Sequence, residues 1–407
     1  MTAAAGTNAP PEPGLTPDDV IARATALASD LVSRQAETEK RTYYAADTHE
    51  AFRAAGLYRL LVPRRYGGYE FDAGTFLRVS TALARGCPST GWMYLFGAAH
   101  ALVVATLFGE RAQDEVFAGG DFICPAVVGP AGHAEPADDG GWIVSGTWRY
   151  CSGVPYATHF LGHTLVAGDD GGPPRPLLFV IPRGDWTRLD DWGGQLGLRG
   201  SGSHSVLLDA VHVPAWRALD GVHLSQTSVT GGTPGRALHG NPEYGGGPLS
   251  FTLLELGALA VGMAQGALDA YEDLMRSRTT IYPPIVARSE DPYYQATYGE
   301  AAGRIAAAEA ALRGAVAQWS AVAAEGPAAV TRESEWRIAT ISREAIRLSW
   351  QAVEGHLFPT AGSSAVRDGE RMERIWRDMS MLHSHGGVAI VLASMANQEL
   401  TRARFGI

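Results

Sequence analysis

Apolar positions recur at helical spacing over most of this chain, and the recurrence breaks once, near the middle. Val20, Ile21, Ala24, Leu27 and Leu31 fall on one helix face. Thr16 before Pro17, Asp18 and Asp19 supplies the start of that helix: a hydroxyl for orphan N–H groups, then proline and carboxylates in the first turn. Another helix is expected around Phe52 and Leu57, followed by a turn at Tyr66-Gly67-Gly68 after Val62-Pro63. Phe76 to Ala84 reads as helix, and a long apolar helix runs from about Ser89 to Leu107, opened by a Pro88-Ser89-Thr90 cap.

From about residue 121 the period shortens. Trp142 to Gly146, Phe160 to Val166, Leu177 to Ile181 and Ser205 to Val213 are short β-branched and aromatic runs punctuated by Gly, Pro and Asp. They predict a small antiparallel β-domain. Residues 224–248 are rich in Gly, Pro, Ser and Thr and read as a long mobile connection. Ala-rich helices then return over 250–278, about 292–324, 331–357 and 370–403, with no repeat period. The expected organisation is a disordered tail (1–14), an N-terminal helical domain (15–120), a central β-domain (121–223), a Gly/Pro-rich loop (224–248) and a C-terminal helical bundle (249–407). A mainly α chain interrupted by a β-domain is an uncommon order and narrows the fold.

Composition adds exclusions. The chain has 407 residues, 46% hydrophobic and 19% charged, an ordinary balance for a globular protein with a large core. A formal charge of −10 offers no basic stripe, so no nucleic-acid partner is expected. No apolar run of about 18 residues stands out, so no membrane span is expected. Cys87, Cys124 and Cys151 are too scattered for a disulfide framework or a zinc site. The N-terminus lacks a basic stretch before an apolar core, so a cytoplasmic protein is the default.

Three strings carry a resemblance. Gly146-Thr147-Trp148-Arg149-Tyr150-Cys151-Ser152-Gly153 is one, and Gly197-Leu198-Arg199-Gly200-Ser201-Gly202-Ser203-His204-Ser205-Val206 with Val211-His212-Val213-Pro214 is another. The third is Gly362-Ser363-Ser364 with Glu373-Arg374-Ile375-Trp376-Arg377-Asp378. In order and spacing they resemble the acyl-CoA dehydrogenase superfamily over about residues 15–405. The resemblance implies an N-terminal helical domain, an antiparallel β-barrel or sandwich and a C-terminal four-helix bundle. Ser89-Thr90-Gly91-Trp92 with His100, Trp148 to Gly153, and Arg377-Asp378 with His385 resemble the flavin-dependent monooxygenase branch. That branch includes phenol and steroid hydroxylases, a dibenzothiophene sulfur oxygenase and nitroso-forming amino-sugar oxygenases. Many dehydrogenases carry a catalytic Glu eight residues after that Asp, a position held here by Gly386.

The resemblance implies reduced flavin (FADH2 or FMNH2) and O2, with oxygen transfer from a C4a-hydroperoxide in a dry pocket. It places Ser152 beside flavin N5 and His385 near C4a. An imidazole with an ordinary pKa near 6.5 can give or take a proton at neutral pH. His100 is read either as a catalytic or substrate-pocket residue or as a satisfied core histidine. Trp92, with His383, is a candidate for the substrate wall. Pro125, Ala126, Val127 and Trp148 would border the flavin. Arg276 and Arg278 would grip its phosphates, and Gly362 and Ser363 would complete a neighbouring subunit's cofactor site in a homotetramer. Bland readings stand beside these: Ser152 bonded to nearby backbone, tryptophans as packing, arginines as solvated surface. His383 and His385 point about 200° apart on a helix and cannot share a metal ion there, so no metal is expected.

No Gly-x-Gly-x-x-Gly follows a strand, so no NAD(P)H site is evident, and a separate NAD(P)H-flavin reductase is expected to deliver reduced flavin. The leading reading is hydroxylation of an aromatic or polycyclic small molecule. N-oxygenation of an amine or nucleotide-linked amino sugar, acyl-CoA dehydrogenation or oxidation, and a non-catalytic flavoprotein are the alternatives.

Overall fold

A computed structural model of the protein describes residues 9–168 and 172–407. The expected disordered tail over residues 1–8, and positions 169–171 of the central domain, lie outside the described residues. Six helices come first: α1 (Pro17–Arg41), α2 (Ala46–Ala54), α3 (Ala73–Gly86), α4 (Pro88–Ala98), α5 (His100–Leu107) and α6 (Glu110–Val116). Eight strands follow: β1 (Ala126–Val127), β2 (His133–Pro136), β3 (Trp142–Trp148), β4 (His159–Val166), β5 (Arg175–Pro182), β6 (Thr187–Arg188), β7 (Val206–Val213) and β8 (Ala218–Asp220). The chain ends in α7 (Pro234–His239), α8 (Pro248–Ser277), α9 (Pro292–Glu325), α10 (Arg332–Ala352), α11 (Phe358–Ala361), α12 (Arg371–Ser384) and α13 (Ala396–Phe405).

Local chemistry explains several boundaries. Thr16 and Asp19 form the reciprocal cap of α1, each side chain taking the other's backbone N–H. Asp291 caps α9 with Pro292 in its first turn. The expected cap of α4 is different: Cys87 holds the cap position without a side-chain bond, and the Ser89 hydroxyl is directed elsewhere. Among residues 9–14, Glu12 is ion-paired to Arg23 of α1 at 2.8 Å. The 224–248 segment contains α7 and a 3-10 turn, with Tyr244 buried and its hydroxyl donating to Leu61 O at 3.1 Å.

The sheet runs β6-β7-β3-β2-β4-β5-β8, with β1 also on β4. It is mixed rather than antiparallel: β1 and β2 both pair with β4 in parallel. Alternation of apolar positions reveals a strand but not the direction of a chain-distant partner, hence the correction. A second correction concerns apolar length. Pro88–Leu107 and α8 each meet the length and apolarity of a membrane span. All of the first apolar window and 83% of the second are buried against protein, so these are core helices.

The expected single helix over 370–403 is broken. α12 stops at Ser384, His385 takes extended backbone (φ −64°, ψ 136°), and the chain turns by 54° into a π-helical stretch, Gly387–Met395, that continues as α13. α12 is fixed from behind. Asp378 accepts the Leu198 N–H and, at 3.2 Å, the Ser89 hydroxyl. The Arg377 guanidinium reaches Glu39 of α1 at 2.7 Å. One carboxylate thus ties the N-terminal helices, the Gly197–Gly200 turn and α12 together. Burial pushes its pKa up to about 7 against the donors that stabilise its charged form.

Candidate active site

Between α4 and α5, β1, α8 and the chain after α12 lies a cavity of about 400 Å³. Trp92, Phe96 and His100, spaced four apart along α4 and into α5, form one wall. Ala126 and Val127 of β1 and the turn carrying Tyr150 and Ser152 form the second. Leu249, Thr252, Leu253 and Leu256 of α8 form the third. His385, Ile390 and Val391 close it from the broken C-terminal helix, and Leu224 with Ser225 covers one side.

Ser152 is held against α4 by Gly153, whose φ of +97° and 3.0 Å approach of a notional Cβ to Met93 O exclude any larger residue without strain. Tyr150 also sits at positive φ, +63°, a conformation that costs a non-glycine residue about 1–2 kcal/mol. Its ring stands 59% exposed at the cavity rim. The indole N–H of Trp92 donates to Ser152 Oγ at 2.9 Å. Ser152 Oγ is 2.8 Å from Ser203 Oγ, which is 2.6 Å from Ser201 Oγ. When Ser201 donates to Ser203 and Ser203 to Ser152, both Ser152 lone pairs are used and its proton is presented to the cavity.

The two cavity histidines are of opposite polarity. His100 Nδ1 lies 2.9 Å from Phe96 O and 2.8 Å from Cys124 O. Two carbonyls require a donor, so the proton is on Nδ1 and Nε2 is left as an acceptor. His385 Nδ1 instead accepts the Gly387 N–H at 3.2 Å, which puts the proton on Nε2 as a donor. Neither Nε2 has a protein partner among the described residues. Burial pushes the His100 pKa down to about 4 and also lowers that of His385, whose ring opens to the cavity but is walled by Trp92 (5.4 Å) and Phe96 (6.3 Å). Both rings are neutral near pH 7. Gly387 has its own constraint: a Cβ there would meet Leu256 Cδ1 at 2.8 Å.

A second pair of histidines braces the wall. His163 Nδ1–H donates to Val127 O at 2.9 Å, and its Nε2 accepts the Leu224 N–H at 3.3 Å. His223 Nε2–H donates to Val128 O at 3.0 Å, and the two rings lie 4.8 Å apart. They fasten Leu224 to β1.

Of the sequence candidates, Trp92, His100, Ala126, Val127, Ser152 and His385 converge on the cavity. Pro125 lies just behind, its carbonyl accepting the Leu161 N–H. Trp148 is fully buried under the sheet, donating to His163 O at 2.7 Å, and does not reach the cavity. His383 points the other way, 4.6 Å from the Trp350 ring. Arg276 is exposed and paired with Glu272 at 2.8 Å. Arg278, Gly362 and Ser363 meet in a separate recess of about 720 Å³. Arg288, which no string or spacing singles out, lies buried in the same recess with Nε unpartnered and Nη1 donating to Ala361 O at 3.0 Å. Among the described residues neither Arg278 nor Arg288 has a carboxylate partner. Phe96, Ser201 and Ser203 were also missed. The four-residue spacing of Trp92, Phe96 and His100 was the available signal for the first. Among the described residues no group of three His, Cys, Asp or Glu side chains is placed to hold a metal ion.

A larger groove, about 780 Å³, runs between α1, α3, α8 and α9. Several of its polar groups are paired across it: Arg85 with Asp269 at 2.7 Å, Arg313 with Glu309, and Gln265 with Glu309 at 3.0 Å, while Arg371 keeps its Nε unpartnered.

Comparison with known proteins agrees with this geometry. Residues 19–118 match the acyl-CoA dehydrogenase N-terminal domain and residues 254–389 the acyl-CoA dehydrogenase C-terminal domain. The oxygenase subunit HsaA of Rhodococcus jostii, a flavin-dependent monooxygenase, is 31% identical over 88% of this chain and 91% of its own length. The oxygenase component of an FADH2-dependent resorcinol hydroxylase from a Rhizobium species is 28% identical over 92% of both chains. The oxygenase component of p-hydroxyphenylacetate 3-hydroxylase of Acinetobacter baumannii is 24% identical over 87% of this chain and 82% of its own. The crystal structure of 3-HSA hydroxylase from Rhodococcus sp. RHA1 superposes with a TM-score of 0.84 at 28% identity, covering 96% of this chain and 97% of that one. This chain therefore belongs to the acyl-CoA dehydrogenase superfamily, in the branch of flavin-dependent monooxygenases that are oxygenase components of two-component systems.

Proposed function

We propose that this protein receives reduced flavin from a separate NAD(P)H-flavin reductase and hydroxylates an aromatic or polycyclic small molecule. The carrying observation is one cavity that combines apolar walls, the Ser152 hydroxyl and two neutral imidazoles of opposite polarity. These residues fit a flavin ring, because the Trp92 indole saturates one side of Ser152 and leaves a hydroxyl proton to offer a ring nitrogen. Bound reduced flavin supplies, with O2, the electrons and the oxygen-transfer chemistry.

The chain's own residues do the rest. Ser152, oriented by Trp92 and Ser203, holds a proton at the flavin edge. His100 Nε2 accepts a substrate hydroxyl or N–H and so fixes which carbon is presented. His385 Nε2–H donates to the oxygen that bears developing negative charge, the kind of pre-set donor that works best where water is excluded. Trp92, Phe96 and the α8 leucines exclude that water. No Asp or Glu lines the cavity among the described residues, so it lacks the carboxylate base that dehydrogenation of an acyl-CoA would use.

Arg278, Arg288, Gly362 and Ser363 suit the phosphate end of a flavin, Arg by its planar fork. The recess lies 22 residues along α8 from Leu256, roughly 33 Å at 1.5 Å per residue. A flavin whose ring occupies this chain's cavity cannot span that distance, which supports a recess serving the cofactor of a second copy, an arrangement the proposed homotetramer would supply. Three buried, unbridged cysteines support a reducing, cytoplasmic setting.

The test is anaerobic loading with chemically reduced FAD or FMN, then mixing with oxygenated buffer, with and without candidate phenols. Flavin reoxidation distinct from that of free flavin, plus hydroxylated product, is expected. Reoxidation at the free-flavin rate with stoichiometric hydrogen peroxide would refute the reading.

A further inference from the structure

We propose that the cavity accepts an uncharged arene bearing a hydroxyl or N–H, and discriminates against arenes carrying a carboxylate, phosphate or ammonium group; this rests on the monooxygenase reading of the same cavity. Its lining among the described residues holds no Arg, Lys, Asp or Glu. Four of the segments that supply the lining are uncharged over long stretches: 86–109, 122–132, 222–235 and 379–398 contain none of those four residue types, and Arg149, next to Tyr150 in the remaining turn, is exposed and outside the lining. On α8 the positions turned to the cavity are Leu249, Thr252, Leu253 and Leu256. The carboxyl nearest them in sequence, Glu255, does not line the cavity, is wholly buried without a partner, and is driven toward its neutral form by desolvation.

What the cavity offers a ligand is therefore dipolar only. With the Ser152 proton committed to the flavin, His100 Nε2 can accept one hydrogen bond and His385 Nε2–H can donate one. An incoming phenol or indole satisfies the acceptor and presents its ring to apolar walls. An incoming carboxylate loses its hydration and finds no cation, an arrangement that is costly unless the charge is paired. Among the relatives, resorcinol is a neutral arene and p-hydroxyphenylacetate carries a carboxylate; this lining matches the first kind.

Matched pairs test it: 4-ethylphenol against 4-hydroxyphenylacetate, 3-methylindole against indole-3-acetate, and 2-naphthol against 6-hydroxy-2-naphthoate. Binding is measured anaerobically on the full chain with reduced flavin bound, and kcat/KM is measured after oxygen is admitted. The neutral member should bind at least about 100-fold more tightly in the pairs that fit. Equal or tighter binding of the acid, or refusal of every neutral member, overturns the proposal. Leu253→Arg places a cation on the cavity face of α8 and should narrow the gap at least about tenfold. An undiminished gap in the folded variant assigns the selection elsewhere and overturns it too. Flavin binding alone, tested before any pair, separates failure of this inference from failure of the monooxygenase reading.

Discussion

One helix, α8, borders both the groove and the smaller cavity, and the two faces could hardly differ more. Toward the groove it presents Val261, Gln265 and Asp269, and the polar groups there are answered by neighbours across the gap. Toward the cavity it presents leucines and Thr252, and the polar atoms opposite them, on His100 and His385, have open valences. The groove is nearly twice the volume and carries most of the charge. Size and charge do not mark the chemistry here; uncharged polar atoms set against apolar walls and open to a guest do, because those are the groups a ligand can reward.

The contrast can be broken most forcefully at His385. His385→Ala should lower product formation about 100-fold or more while circular dichroism and the melting temperature stay near those of the parent, since it deletes one pre-set donor from an open-sided ring. A folded variant with undiminished coupled turnover would remove His385 from the mechanism. A smaller effect is expected at Ser152. Ser152→Ala should raise the ratio of hydrogen peroxide to product about tenfold, the scale of one lost hydrogen bond, and an unchanged ratio would return Ser152 to a packing role. The smallest belongs to the groove. Arg85→Ala opens a partly exposed ion pair, so thermal stability should move by about 1 kcal/mol or less and product formation not at all. A large loss of turnover there would show the groove to be part of the site.

The architecture was legible because periodicity and caps reported it. The Thr16 box, the α8 and α9 ranges and the change of texture after residue 121 are local signals that the structure repeats. The failures are non-local. Parallel pairing of β2 with β4 depends on a partner some thirty residues away. The break at His385 falls at His383-Ser384-His385-Gly386-Gly387, a polar stretch ending in a Gly-Gly breaker that a single helix over 370–403 passed over. Within the site, Trp92, His100, Ser152 and His385 were findable as members of recurring strings. Trp148 and His383 belong to the same strings, yet strand pleat turns one beneath the sheet and helix phase turns the other toward Trp350. Arg288 acquires its meaning only when the chain brings it against Ala361.

The helix break has a further consequence. By stopping α12 one residue before His385 and resuming at Gly387, the fold lends that imidazole a main-chain amide, just as α4 and β1 lend His100 two main-chain carbonyls. The polarity of the pocket is thus wired into the backbone and does not depend on which side chains happen to be ionised. Near neutral pH the pocket is a pair of dipoles, one accepting and one donating. It has an orientation to impose on a guest but no charge to switch.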